Sequence, residues 1–228
     1  MAGRNISATK LGMCSTRILG CCAVGGQAVG AAAALCKKYN CNPRELAPHI
    51  KELQQIILKN DGFLPGFKNE DGNDLARKAK FFATSYKEGC NPEKVIDGIS
   101  RKLGEDVHGW VSDGISENGE VLKMKFDEVK EISELRYTFH SDFNYPIRVT
   151  MSPNRQKQQR MGIPEELVKD YDIIIKKAGK EVQKIEVRDN YQRHNVHRFD
   201  KIECDSVELL VKSTNGADEI TVFEVRAY

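Results

Sequence analysis

From about residue 80 onward, the chain alternates apolar and polar residues with a period of two. Leu122, Met124 and Phe126 are separated by Lys123 and Lys125, and Leu135, Tyr137 and Phe139 interleave with Glu134, Arg136 and Thr138. Tyr171, Ile173 and Ile175 repeat the pattern, as do Val207, Leu209 and Val211, and a last strand is predicted near Ile220 to Val225. Successive side chains on a strand point to opposite faces, so each run has one core face and one wet face. Several such strands need a second apolar face to bury the first, which predicts a two-sheet sandwich or jelly roll. Residues 152–159 are polar and read as an exposed loop.

Upstream the pattern is different. Residues 1–79 are Ala/Gly-rich and then helical, so the expected class is α+β: a helical segment 1–79 followed by an all-β jelly-roll sandwich 80–228. Gly26 to Tyr39 reads as a helix entered through the paired glycines Gly25 and Gly26, with Lys37 and Lys38 suited to its C-terminal dipole. A second helical region starts at Asn42, with Pro43 at the first position and Glu45 completing a capping box. Pro48 restarts it. Ile50, Leu53, Ile56 and Ile57 then form one stripe that ends at Asn60-Asp61-Gly62. Residues 74–80 are expected to form a short helix.

Ile18 to Cys36 carries no charge, which imitates a signal peptide or a short membrane span. Its apolar bulk is mostly alanine interrupted by glycine and Gln27, which gives little insertion energy. A buried protein helix is the preferred reading, and a membrane role is disfavoured. The seven cysteines include adjacent Cys21 and Cys22 and no C-x-x-C. They fit reduced thiols and a cytoplasmic chain, with export of a longer parent left open. Thirty-five basic residues against 33 acidic ones leave a net charge of +2, so no nucleic-acid partner is expected. No G-x-G-x-x-G, Walker loop or H-E-x-x-H is present, which argues against a complete nucleotide-cofactor enzyme.

The N-terminal third has an ordered set of motifs. Gly3-Arg4-Asn5-Ile6-Ser7 is followed by Ser15-Thr16-Arg17 and Gly25-Gly26-Gln27-Ala28-Val29-Gly30, then by Pro43-Arg44-Glu45-Leu46, Leu53-Gln54-Gln55 and Asp74-Leu75-Ala76. The set resembles the last FAD-binding element of FAD-dependent oxidoreductases of the glutathione-reductase-like kind. The resemblance implies FAD as cofactor of a full-length parent, with Ser15, Thr16, Arg17, Gly25, Gly26 and Gln27 near the flavin. A helix starting at Gly25-Gly26 would aim its unpaired N–H groups at the reduced ring. The dinucleotide-binding portion is missing, so the chain reads as the C-terminal end of a longer flavoenzyme that does not hold FAD alone.

The second part has Asn91-Pro92-Glu93-Lys94-Val95-Ile96-Asp97-Gly98, Gly109-Trp110-Val111-Ser112-Asp113 and a terminal Phe223-Glu224-Val225. These resemble a discoidin-type, galactose-binding-like domain, a jelly roll that often binds sugars through loops at one end. Trp110, Asn190, Tyr191, Arg193 and His194 are the candidate sugar contacts, because aromatic faces stack on sugars and Arg or Asn bond hydroxyls. The resemblance also implies a structural calcium, with Asp97 and Glu224 as oxygen donors. Ile99 stands where a further polar ligand is common, so a turn in which Asp97 bonds its own backbone is the preferred alternative. The rival to an oxidoreductase fragment is a non-enzymatic carbohydrate-binding or adhesion module with an N-terminal signal or anchor. Residues 1–79, without the rest of a flavin-binding fold, are expected to drive self-association.

Overall fold

The computed structural model describes residues 2–143 and 150–228. It divides into two compact units, Met1–Asp71 and Gly72–Tyr228. The division falls eight residues before the boundary expected from composition. Asp74 explains the shift. It is buried, it caps the turn Leu75–Lys78 through Ala76 N at 3.1 Å, and its Oδ1 also accepts from Ala227 N at 3.1 Å. Ala76 joins the core of the second unit, so this turn belongs to the sandwich.

The first unit is helical: α1 (Lys10–Thr16), α2 (Leu19–Tyr39) and α3 (Ile50–Lys59), with a 3-10 turn Pro43–His49 before α3. The 3-10 segment ends just after Pro48, which has no N–H to continue an α-helical ladder. Leu35, Leu46, Leu53 and Ile57 form a small core where α2 meets α3 and the 3-10 turn. The stripe of α3 is therefore read correctly at Leu53 and Ile57, whereas Ile50 is exposed.

The start of α2 differs from expectation. The helix begins at Leu19, with Ile18 as its cap, and runs unbroken through Gly25 and Gly26. Alanine, the strongest helix former, dominates the run, so the glycines, at roughly 1 kcal/mol each, do not interrupt it. The N–H groups of Gly25 and Gly26 thus lie within the helical ladder and are not aimed outward from a helix start.

The second unit is an antiparallel β-sandwich whose described residues form nine strands: β1 (Lys80–Ala83), β2 (Lys102–Leu103), β3 (Asp106–Val107), β4 (Trp110–Val111), β5 (Glu120–Phe139), β6 (Val168–Lys177), β7 (Lys180–Val187), β8 (His194–Thr214) and β9 (Thr221–Ala227). β2 and β3 form a separate hairpin, and the other seven are joined in the order β4-β9-β5-β8-β6-β7, with β1 also on β5. The sheet becomes two layers because β5 and β8 are long and bend. Glu120 to Lys125 pairs with Ser206 to Val211, and Glu134 to Thr138 pairs with His194 to Arg198, with register shifts between. The first half of β5 also borders β1 and its second half borders β9, whereas β8 borders β6 along its second half.

All the alternating apolar residues named above lie in one core, and they are at most 4 % exposed. Phe139 and Tyr171 meet edge to face at 5.2 Å, and the Tyr171 hydroxyl lies 3.0 Å from His197 Nε2. Burial lowers the pKa of His197, so at neutral pH the Tyr171 hydroxyl pairs with a neutral imidazole. Residues 152–159 hold a short helix, α4 (Pro153–Lys157), within the expected loop.

Candidate functional site

Four chain segments converge at one end of the layer built on β9 and the second half of β5. Phe139 N donates to Arg193 O at 2.9 Å, and His140 N donates to Thr221 O at 3.2 Å. The exit of β5, the entry of β8 and the entry of β9 are therefore pinned together, with the β2–β3 hairpin beside them. Between them lies a cleft of about 490 Å³, lined by Lys102, Gly104, Glu105, His140, Phe143 and Phe223.

Arg193 organises the cleft. Its guanidinium donates to Phe139 O at 2.7 Å and to Ser100 O, which ties the segment before β2 to the end of β5. The same group lies 4.6 Å from the Phe143 ring centre and 5.3 Å from that of Phe223. Arg101 sits 5.3 Å from the Phe143 ring centre. Phe143 nevertheless remains 59 % exposed, whereas Phe223 is buried. His140 meets Phe223 edge to face at 5.5 Å. Burial lowers its pKa, against the opposing pull of Asp142 and Glu166, so the imidazole is neutral at neutral pH. A neutral imidazole presents one donor and one acceptor. The cleft thus combines an exposed aromatic ring, a planar cation, a neutral imidazole and the paired side chains of Lys102 and Glu105, 3.3 Å apart.

Of the five sugar contacts expected from sequence, only Arg193 contacts lining residues of this cleft. Trp110 is completely buried, and its Nε1 donates to Ser85 O at 2.8 Å. It is a core residue with no face open to a ligand. Asn190 is buried in its own turn, where Nδ2 donates to Val168 O at 2.7 Å and Oδ1 accepts from Gln192 N at 3.0 Å. Tyr191 is exposed in that turn. His194 lies 3.1 Å from Thr138 Oγ1, on the strand that leaves the cleft. Sequence reasoning missed His140, Phe143 and Phe223. The signal was a His and a Phe just past the last alternating residue of β5, where side chains must leave the sheet.

The proposed calcium ligands do not fit a cation. Asp97 Oδ1 accepts from Ile99 N at 2.9 Å, as expected for an Asx turn, and its Oδ2 lies 2.7 Å from His108 Nδ1. Glu224 is buried against the Arg226 guanidinium at 3.0 Å. Among the described residues no group of three or more His, Cys, Asp or Glu side chains is placed to hold a metal. The flavin candidates are also differently placed. Ser15 and Thr16 end α1, Arg17 follows it, and Gly25, Gly26 and Gln27 sit mid-way along the first half of α2. A Cβ added at either glycine would meet nothing within 4 Å, so no cradle is formed around them. The helical unit by itself therefore forms no enclosed seat for a flavin ring.

Comparison with known proteins divides the chain the same way. Residues 1–57 match the FAD dependent oxidoreductase family. That match covers only part of the helical unit and leaves the sandwich outside it. No curated protein matches the chain. Among solved structures, a fucose binding module from Streptococcus pneumoniae superposes with a TM-score of 0.52 at 11% identity, covering 68% of this chain and 97% of the module. The lectin domain of lectinolysin, solved with Lewis B antigen, gives 0.50 at 13% identity over 69% of this chain and 96% of its own. A chitosan-binding module from a Paenibacillus sp. IK-5 chitosanase/glucanase gives 0.50 at 10% identity, over 68% and 98%. At these identities the likeness is one of fold. The second unit shares the β-sandwich fold of these modules, the architecture expected from its alternating strands.

Proposed function

We propose that this chain joins the terminal part of an FAD-dependent oxidoreductase domain to a carbohydrate-recognition sandwich, and that a saccharide occupies the cleft beside Arg193. The carrying observation is the grouping of exposed Phe143, Arg193 and neutral His140 at the loop end of the sandwich. An aromatic ring matches the apolar face of a sugar, and guanidinium and imidazole groups bond its hydroxyls. The fold neighbours, whose names include fucose- and chitosan-binding modules, support the ligand class. In this reading the helical unit contributes to flavin binding only together with the nucleotide-binding remainder of such a fold. The oxidoreductase chemistry belongs to that whole. The helical unit alone associates with a second copy through the apolar side chains that α2 leaves exposed, Leu19 and Val24 among them. That helix is long and apolar enough to cross a membrane by length and composition.

Calorimetric titration of the full chain with galactose, fucose and chitosan oligomers tests the sugar site. At least one is expected to bind, and Phe143→Ala is expected to weaken that binding up to about tenfold, given ~0.5–1.5 kcal/mol for a lost aromatic contact. No binding at millimolar sugar, or equal binding by the variant, rejects the cleft.

A further inference from the structure

The C-terminus of α2 places two thiols against each other. Asn40 adopts a left-handed backbone with φ of 49°, and Cys41 N donates to Cys36 O at 3.0 Å while Asn40 N donates to Lys37 O at 3.4 Å. This pair of bonds is the Schellman ending of a helix, in which the residue after the left-handed position folds back over the helix's last turn. The motif is normally accompanied by an apolar contact between those two positions. Here both positions are cysteine. The Cys36 and Cys41 side chains both pack on the cluster of Leu35, Leu46, Leu53 and Ile57. Both are free thiols, half-buried rather than enclosed.

We infer that Cys36 and Cys41 form a dithiol–disulfide site that reacts with small-molecule disulfides and closes a bond across the C-terminal cap of α2. One thiolate attacks a sulfur of the reagent, giving a mixed disulfide and releasing one reagent thiolate. The other cysteine, deprotonated, attacks the protein sulfur of that mixed disulfide and expels the second reagent thiolate. Two protein thiols and one disulfide thus become one protein disulfide and two small thiols, with the two protein protons passing to the released thiolates. Helix geometry favours the second step, because the capping bonds already hold the partner in place. Burial, and next the adjacent Cys36 thiol, raise the pKa of Cys41, so closure speeds up as pH rises above neutrality. The adjacent pair Cys21 and Cys22 has no such cap: both lie inside α2, where side chains one residue apart do not face each other.

The test uses the reduced full chain treated with oxidised glutathione, quenched with acid and digested with trypsin. Cleavage after Lys37 and Lys38 separates the two cysteines, so a closed bond appears as peptide 18–37 joined to peptide 39–44, with no glutathione retained. Fragment spectra are expected to assign the link to Cys36. In Cys36→Ala the link is expected to disappear and Cys41 to keep a glutathione adduct. Asn40→Val opposes the left-handed cap and is expected to slow closure about tenfold. Persistence of the link in Cys36→Ala, stable glutathione on both cysteines of the unaltered chain, or an unchanged rate in Asn40→Val would each overturn the assignment.

Discussion

Replacing Arg193 by alanine separates the two roles the cleft assigns to this side chain. The guanidinium makes hydrogen bonds to the carbonyls of Phe139 and Ser100 and lies over Phe143 and Phe223. Hydrogen bonds from a charged donor contribute about 1.5–3 kcal/mol each. Taking the lower figure for the two half-buried bonds gives roughly 3 kcal/mol, without counting the ring contacts. The expected loss in Arg193→Ala is therefore about 3 kcal/mol. Arg193→Lys keeps the charge but not the fork, so it retains one bond and loses about half as much. The assay is urea unfolding followed by tryptophan fluorescence. Trp110 is the only tryptophan and is fully buried in the sandwich, so the signal reports that unit alone. With a urea dependence near 2 kcal/mol per molar, the alanine variant should unfold at roughly 1.5 M lower urea. A midpoint within about 0.3 M of the unaltered chain would show that Arg193 does not tie the loops together, and the cleft would lose its organising residue.

Three further outcomes are expected. Asp172 is 1 % exposed and lies within 3.1 Å of Lys184, Arg188 and Lys212. Burial alone would raise its pKa, but those cations outweigh burial and bring it down to about 2. A depressed acid stabilises the fold above its unfolded pKa of about 3.9 and loses that contribution as pH falls toward 2. Asp172→Asn should cost about 2 kcal/mol at pH 7 and flatten the loss of stability between pH 4 and 2; an unchanged acid limb in urea titrations refutes this. Deleting residues 1–71 should abolish self-association seen by light scattering without detergent, and a monodisperse full-length monomer contradicts it. The full chain mixed with FAD and desalted should show no flavin band, whereas one flavin per chain in the visible spectrum overturns the incomplete-fold reading.

The period-two signal was strong wherever one strand face meets the core, as at Leu135, Tyr137 and Phe139. It was confined at β7 to the second half, where Ile185 and Val187 alternate with Lys184 and Glu186, while Lys180 and Glu181 break the pattern at its start. The entry of β8 carries polar Arg193, His194, His197 and Arg198, so its strand character is faint in the sequence. His194 and His197 are half-buried through partners distant in sequence, Thr138 and Tyr171, which no local window contains. The helix start failed for a related reason. Paired glycines end a helix only where something outside it uses their freedom, and here the space around Gly25 and Gly26 is open. The cleft was the least legible feature, because its residues come from four segments and only Arg193 carried a recognisable chemistry.

The bent strands β5 and β8 have a consequence for how the sandwich comes apart. Each contributes one half to each layer, so no layer can peel away without breaking the ladder of the other. Melting at the edge near β7 must propagate along β6 and β8 into the strands that hold the cleft. The second unit should therefore open as one cooperative body, with no stage in which the recognition end is lost and the opposite layer survives. Damage far from the cleft would then silence it by thinning the population of folded molecules, with the affinity of those that remain unchanged.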